Sequence, residues 1–173
     1  MNLLGKRIAI LIENLYQDME AYYPYYRLKE AGATVFFVGP EKGVAYKSKH
    51  GYEAESELSI TEVSSEEYDA VIIPGGFAPD YMRRNKEMVA FVKDMAQKEK
   101  VVAAICHAGW MLVSADVIRA KRVTAFYAIK DDMKNAGGDW EYAPVVRDGN
   151  IITSRTPDDL PMFLKTIIDA LNE

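Results

Sequence analysis

Residues 101–115 read VVAAICHAGWMLVSA, and the architecture depends on how that stretch divides. VVAAI is a short, continuously apolar run rich in β-branched residues, suited to a strand buried on both faces. AGWMLVSA carries the composition of a helix. Cys106 and His107 therefore stand on a strand-to-helix turn. Comparable apolar runs occur at 7–13 (RIAILIE), 34–39 (TVFFVG) and 69–76 (DAVIIPGG), with helical spacing of apolar residues at 17–31 and 86–98 between them. Strand, helix, strand in that order predicts an α/β chain built on a mainly parallel sheet wrapped by helices. A length of 173 residues fits one domain, residues 1–173, around one core.

Two segments interrupt the pattern. Pro24 lies within the first helical stretch and predicts a kink or a tight first turn. Residues 40–60, with Gly43, Gly51 and the alternating YEAESEL, predict a hairpin excursion. The C-terminal third adds RVTAF, then APVVRDGNIITS with a turn at Asp148-Gly149, then a final helix. Thr156 is placed to cap that helix, Pro157 suits its first position, and Asp158 and Asp159 complement its dipole.

The 26 acidic and 21 basic residues give a net charge of -5, which leaves no electrostatic footprint for phosphate backbones and sets nucleic acid aside. The N-terminus lacks a long apolar h-region and a small-residue cleavage site, and no apolar run is long enough to span a bilayer. A single cysteine forms no internal disulfide, which fits a reducing compartment and a cytoplasmic location. One Cys and two His (His50 and His107) make no ligand cluster of zinc-like spacing, so no metal or cofactor is expected.

Chemistry concentrates on three places. Cys106, at the carboxyl edge of a parallel sheet, sees the positive end of the following helix, which favours thiolate. Small neighbours, Ala104 and Ala108, leave room for a nucleophile elbow. The same cysteine would serve equally as a small buried hydrophobe. Pro74-Gly75-Gly76 ends another strand, and the amides of Gly76 and His107 could form an oxyanion hole; as structure alone, the three residues are a turn. Glu20, early in the first helix, could move a proton at the sulfur, although the helix dipole alone favours an acid there.

The set DMEAYYPYYRLKEAG, KHGY, IIPGG, AICHAG, IKDDMKNAG and SRTPDDLP, in that order between about Lys6 and the C-terminus, closely resembles the ThiJ/PfpI superfamily, and within it the PfpI-type intracellular protease branch. The resemblance implies a flavodoxin-like three-layer sandwich related to class I glutamine amidotransferase domains. It implies a nucleophile at Cys106, with Glu20 as the acid hydrogen-bonded to it and oxyanion contacts from Gly76 and His107. It also implies homo-oligomers, dimers or hexamers, in which an acid of a neighbouring subunit meets His107; the matching position is Asp80. The activities implied are peptidase or amidase, and glyoxalase or deglycase action on methylglyoxal and its adducts. Four positions depart from the pattern: Asp80 is one methylene shorter than the usual Glu, Ala108-Gly109 replaces Gly-Pro, and Gln17 replaces an acid.

No histidine follows His107, so a base brought from later in the chain, as in amidotransferases, is absent. Consecutive residues at a helix start point roughly 100° apart, which directs the expected proton traffic to Glu20 rather than His107. Beside a thiolate Glu20 should be driven towards its protonated form. These features favour a small reactive carbonyl or its adduct as substrate, with peptide or amide hydrolysis as a second activity. An oligomeric cysteine protease using Asp80 is one alternative. A redox sensor or chaperone-like stress protein, with Cys106 oxidised and no turnover, is another. The eleven tyrosines, several of them at 22–26, suit either an oligomer contact or the core.

Overall fold

The computed structural model describes residues 2–173. The strands are β1 (Arg7–Leu11), β2 (Thr34–Gly39), β3 (Ala45–Lys47), β4 (Glu53–Glu55), β5 (Leu58–Ser59), β6 (Ala70–Ile73), β7 (Val101–Ile105), β8 (Arg122–Val123), β9 (Asp139–Trp140), β10 (Val145–Asp148) and β11 (Ile151–Ser154). The helices are α1 (Asp18–Glu30), α2 (Ala78–Met82), α3 (Lys86–Gln97), α4 (Gly109–Ala115), α5 (Lys130–Asn135) and α6 (Leu160–Leu171). A seven-stranded sheet runs β10-β11-β7-β6-β1-β2-β5. All its pairings are parallel except that of β10 with β11.

The strand order explains the layers. From β1 the chain moves to β2 on one side, and from β6 it moves to β7 on the other. Right-handed crossovers in opposite directions place α1 and α3 on opposite faces. Accordingly α1 touches α6, while α3 touches α4. The result is the flavodoxin-like sandwich, with β6 and β7 buried along their whole length, as their unbroken apolar sequence requires. The direction of winding reverses between β1 and β6, and a crevice opens there beyond the strands' carboxyl ends. An isolated bridge between Tyr16 and Gly76 spans it.

Helix α1 runs from Asp18 to Glu30 without interruption, with Pro24 buried inside it. The hydrogen bond that a proline lacks at this position is the one the Glu20 carbonyl would accept. Gln17 caps the helix through a 2.8 Å bond from the Glu20 N–H. The excursion at 40–60 is a hairpin of β3 and β4, as expected. RVTAF is not a strand of the main sheet: only Arg122 and Val123 are extended, paired with β9 in a separate two-stranded sheet. The chain leaves that path because the Phe126 N–H bonds back to the Cys106 carbonyl at 3.3 Å. At the C-terminus, a 3-10 turn (Pro157–Asp159) precedes α6, and Thr156 precedes it with extended backbone but no capping bond from its side chain. Asp159 is instead held by Arg155, with Nε–Oδ2 and Nη2–Oδ1 distances of 2.9 and 3.0 Å.

Candidate active site

Strand β7 delivers Cys106 into a 3-10 turn (Cys106–Ala108) from which α4 departs. Cys106 itself holds φ at +61°, a left-handed conformation that a non-glycine residue adopts only when its surroundings enforce it. This geometry brings the sulfur to 3.3 Å from His107 Nδ1. The expectation that adjacent side chains diverge assumed regular helix at this point, and the positive φ removes that assumption. The backbone N–H groups of His107 and Gly76 both favour the ionised sulfur.

Gly75 and Gly76 are glycines for separate reasons. A methyl group on Gly75 would stand 2.7 Å from Cys106 Cβ and 2.7 Å from Glu20 Oε2. Gly76 has φ +75°, and a methyl there would meet the backbone of Leu15, Tyr16 and Gln17. The loop after β6 is thus pressed between Cys106 and the loop after β1, where only glycine fits.

Glu20 is fully buried. Its Oε2 accepts a 2.7 Å bond from the Gly75 N–H, and its Oε1 has no partner. Burial is the leading cause that pushes its pKa up to about 7, against the opposing pull of the Gly75 bond and the charge of Lys49. The predicted direction is therefore met through desolvation rather than through a neighbouring thiolate.

For Cys106 the expectation of a lowered pKa fails. Burial first, and the charge of Glu20 second, push the thiol up to about 12. A long helix does not start at the sulfur: a 3-10 turn intervenes and α4 is short, so the dipole does little against desolvation. Glu20 and Cys106 each resist a second negative charge, so the pair is best treated as one site holding a shared proton. His107 stacks on Phe126 with centroids 5.0 Å apart and an interplanar angle of 29°. Burial, then the charge of Lys49, lowers its pKa, which keeps the ring neutral near pH 7.

These residues line a cavity of about 430 Å³ together with Leu15, Gln17, Lys49, Phe77, Phe126, Thr156 and Pro157. Cys106, His107, Glu20 and Gly76 are brought together. Asp80 is not: it lies on α2, outside the cavity lining, in an ion pair with Arg84 one turn along. Sequence reasoning missed Gly75 as the amide that holds Glu20, and missed Lys49 and Phe126. The signal for Lys49 was the KHGY stretch and that for Thr156 and Pro157 was SRTPDDLP. Among the described residues no cluster of three or more His, Cys, Asp or Glu is placed to hold a metal ion. No helix there is long and apolar enough to cross a membrane.

The model of the DJ-1/PfpI family matches residues 6–170. A deglycase of Pyrococcus abyssi is 43% identical over 165 residues, which cover 95% of this chain and 99% of that protein. Protein/nucleic acid deglycase 2 of Escherichia coli is 41% identical over 170 residues, covering 97% and 99%. Among solved structures, a two-domain protein of Anabaena variabilis with DJ-1/ThiJ/PfpI-like and ferritin-like domains superposes with a TM-score of 0.95 at 43% identity. The match covers 96% of this chain and 48% of that one.

Proposed function

The chain belongs to the DJ-1/PfpI family, and from that premise we propose that it is a Cys106-dependent enzyme, a single domain over residues 1–173, acting on reactive carbonyls or their adducts as a glyoxalase or deglycase. The observation that carries this reading is the buried Glu20 carboxyl beside Cys106, with one oxygen fixed by the Gly75 amide and the other unpartnered. A carboxyl with a pKa pushed up to about 7 exchanges its proton readily at neutral pH.

With methylglyoxal the chemistry balances without any oxidant. The Cys106 sulfur attacks the aldehyde carbon, the C–S bond forms, and the carbonyl oxygen takes a proton to give a hemithioacetal. The amides of Gly76 and His107, which favour negative charge at the sulfur, are the donors available to the oxygen that gains charge. Glu20 as carboxylate removes the proton from the former aldehyde carbon, and a proton returned to the adjacent carbon yields an α-hydroxy thioester. Water hydrolyses the thioester, releasing lactate and the free thiol. With a hemiaminal adduct, the C–S bond forms as the C–N bond breaks, the amine leaves with the thiol proton, and the same hemithioacetal results. The test is turnover of methylglyoxal by wild type, Cys106→Ala and Glu20→Gln, read as lactate release. Loss in both variants is expected, and wild-type rates in Cys106→Ala would refute the proposal.

A peptidase or amidase activity is favoured by one further observation, the 3.3 Å approach of Cys106 Sγ to His107 Nδ1, since a neutral imidazole there can take the thiol proton. We propose that the chain acts as a homo-oligomer, dimer or hexamer, in the cytoplasm. The exposed Met19 and Tyr26 of α1 suit the contact. In such an assembly Asp80 of a neighbouring subunit would leave Arg84 to orient His107. Asp80→Ala should then lower amide hydrolysis and spare lactate formation. The alternative of a redox sensor or chaperone without turnover has less support, because Cys106 is half-buried.

A further inference from the structure

The cavity wall is apolar on one side, at Leu15, Phe77, Phe126 and Pro157, and carries one cationic side chain, Lys49. Lys49 sits at the tip of the β3–β4 hairpin, and no carboxylate lies within 4 Å of its ammonium among the described residues. An unpaired lysine on an ordinary surface loop would mean nothing, but this tip is fastened. The Lys49 N–H bonds the Tyr16 carbonyl at 2.9 Å. On either side of it, Ser48 Oγ and His50 Nδ1 bond the two oxygens of Asp18 at 2.5 and 2.7 Å. Asp18 opens the helix that bears Glu20, so the cation and the catalytic carboxyl share one mount. The charge of Lys49 is felt at Glu20, Cys106 and His107 alike, which places it in the field of the reacting atoms.

We propose that Lys49 is the anion-recognising residue of this cavity, so that favoured substrates carry a carboxylate or a similar anionic group a few bonds from the reactive carbonyl. The inference rests on the carbonyl reading for the identity of the reaction, and on the cavity alone for the charge preference. The apolar wall takes the carbon chain, the elbow takes the carbonyl, and the hairpin tip takes the charge. Low-dielectric walls strengthen such a pairing relative to open water.

The single cysteine allows a test that does not depend on turnover. Iodoacetate and iodoacetamide alkylate Cys106 by the same step, in which the sulfur bonds to the CH2 carbon and iodide leaves, and they differ by one negative charge. The ratio of the two rates, followed by intact mass, cancels any change in thiolate fraction. Lys49→Met should lower the iodoacetate-to-iodoacetamide ratio about fivefold, and Lys49→Arg should keep it within about twofold of wild type. An unchanged ratio in Lys49→Met overturns the proposal.

Turnover of 4,5-dioxopentanoate against 2-oxopentanal, an uncharged oxoaldehyde of equal chain length, is the second arm. Wild type should favour the carboxylate and Lys49→Met should lose that preference through KM. If the alkylation ratio responds to Lys49 while neither oxoaldehyde is consumed, the carbonyl reading falls and the anion site stands.

Discussion

Glu20 and Gly75 are joined by a 2.7 Å hydrogen bond from the Gly75 amide to one carboxyl oxygen, in a pocket where the other oxygen has no partner. The bond orients the carboxyl, and burial sets how hard it is to ionise. A group whose folded pKa is raised to about 7 from 4.5 binds more protons when folded than when unfolded across that interval. It therefore costs stability as pH rises from about 4.5 to about 7. Glu20→Gln removes the ionisation. The variant should match wild type in thermal denaturation near pH 4.5 and exceed it by several degrees at pH 8. Equal melting temperatures at both pH values would show that folding leaves the Glu20 pKa at its ordinary value. Carbonyl turnover in wild type should also rise through about pH 7 as the base form appears, and that limb should vanish in the variant.

Gly75 is confined by Cys106 Cβ and Glu20 Oε2, each 2.7 Å from where a β-carbon would stand. Gly75→Ala must push the Cys106 and Glu20 side chains apart. A displacement on the ångström scale costs about a hundredfold in rate. The variant should fold, as judged by circular dichroism, and lose about that factor in kcat for methylglyoxal. A fall of less than about twofold would mean that the elbow relaxes around the methyl group.

Asp18 holds the hairpin tip through Ser48 and His50. Asp18→Asn weakens one contact and abolishes the charge of the other. Limited trypsin digestion should then cut after Lys47 or Lys49 several times faster than in wild type, with the sheet unaffected. An unaltered digestion pattern would locate the hold in the backbone bonds from Leu15 N to Lys47 O and from Lys49 N to Tyr16 O.

Arg155 and Asp159 form a nearly buried bidentate pair, their side chains 18% and 8% exposed, and it fixes the Thr156-Pro157 rim of the cavity. Asp159→Ala leaves a guanidinium with no partner at this depth and should cost about 3 kcal/mol. Chemical denaturation should record that loss as a lower midpoint with unchanged slope. Replacing both residues with apolar ones of similar volume should recover most of it.

The sheet was legible because its strands are apolar on both faces and separated by helices of ordinary spacing. The hairpin was legible in the alternation of YEAESEL. RVTAF misled, since its β-branched character says nothing of the tertiary bond between Phe126 and Cys106 that bends it away. At the site, the residue types and the elbow could be read, but the sign of the Cys106 shift could not. A helix dipole is visible in a sequence, whereas the depth of burial and the proximity of Glu20 depend on the crevice beyond the carboxyl ends of β1 and β6. The approach of His107 to the sulfur was hidden for a similar reason, because nothing in ICHAG announces a φ of +61°.

The hairpin that carries Lys49 is inserted between β2 and β5 and pairs with no strand of the large sheet. Cys106 and the amides of Gly75 and Gly76 are set by strands and by glycines with no freedom to change, and Glu20 by α1, whereas the proposed anion-binding charge is mounted on an accessory. Chains built on this plan can alter their diet by redrafting some twenty residues of surface ribbon, with the chemistry beneath left as it was.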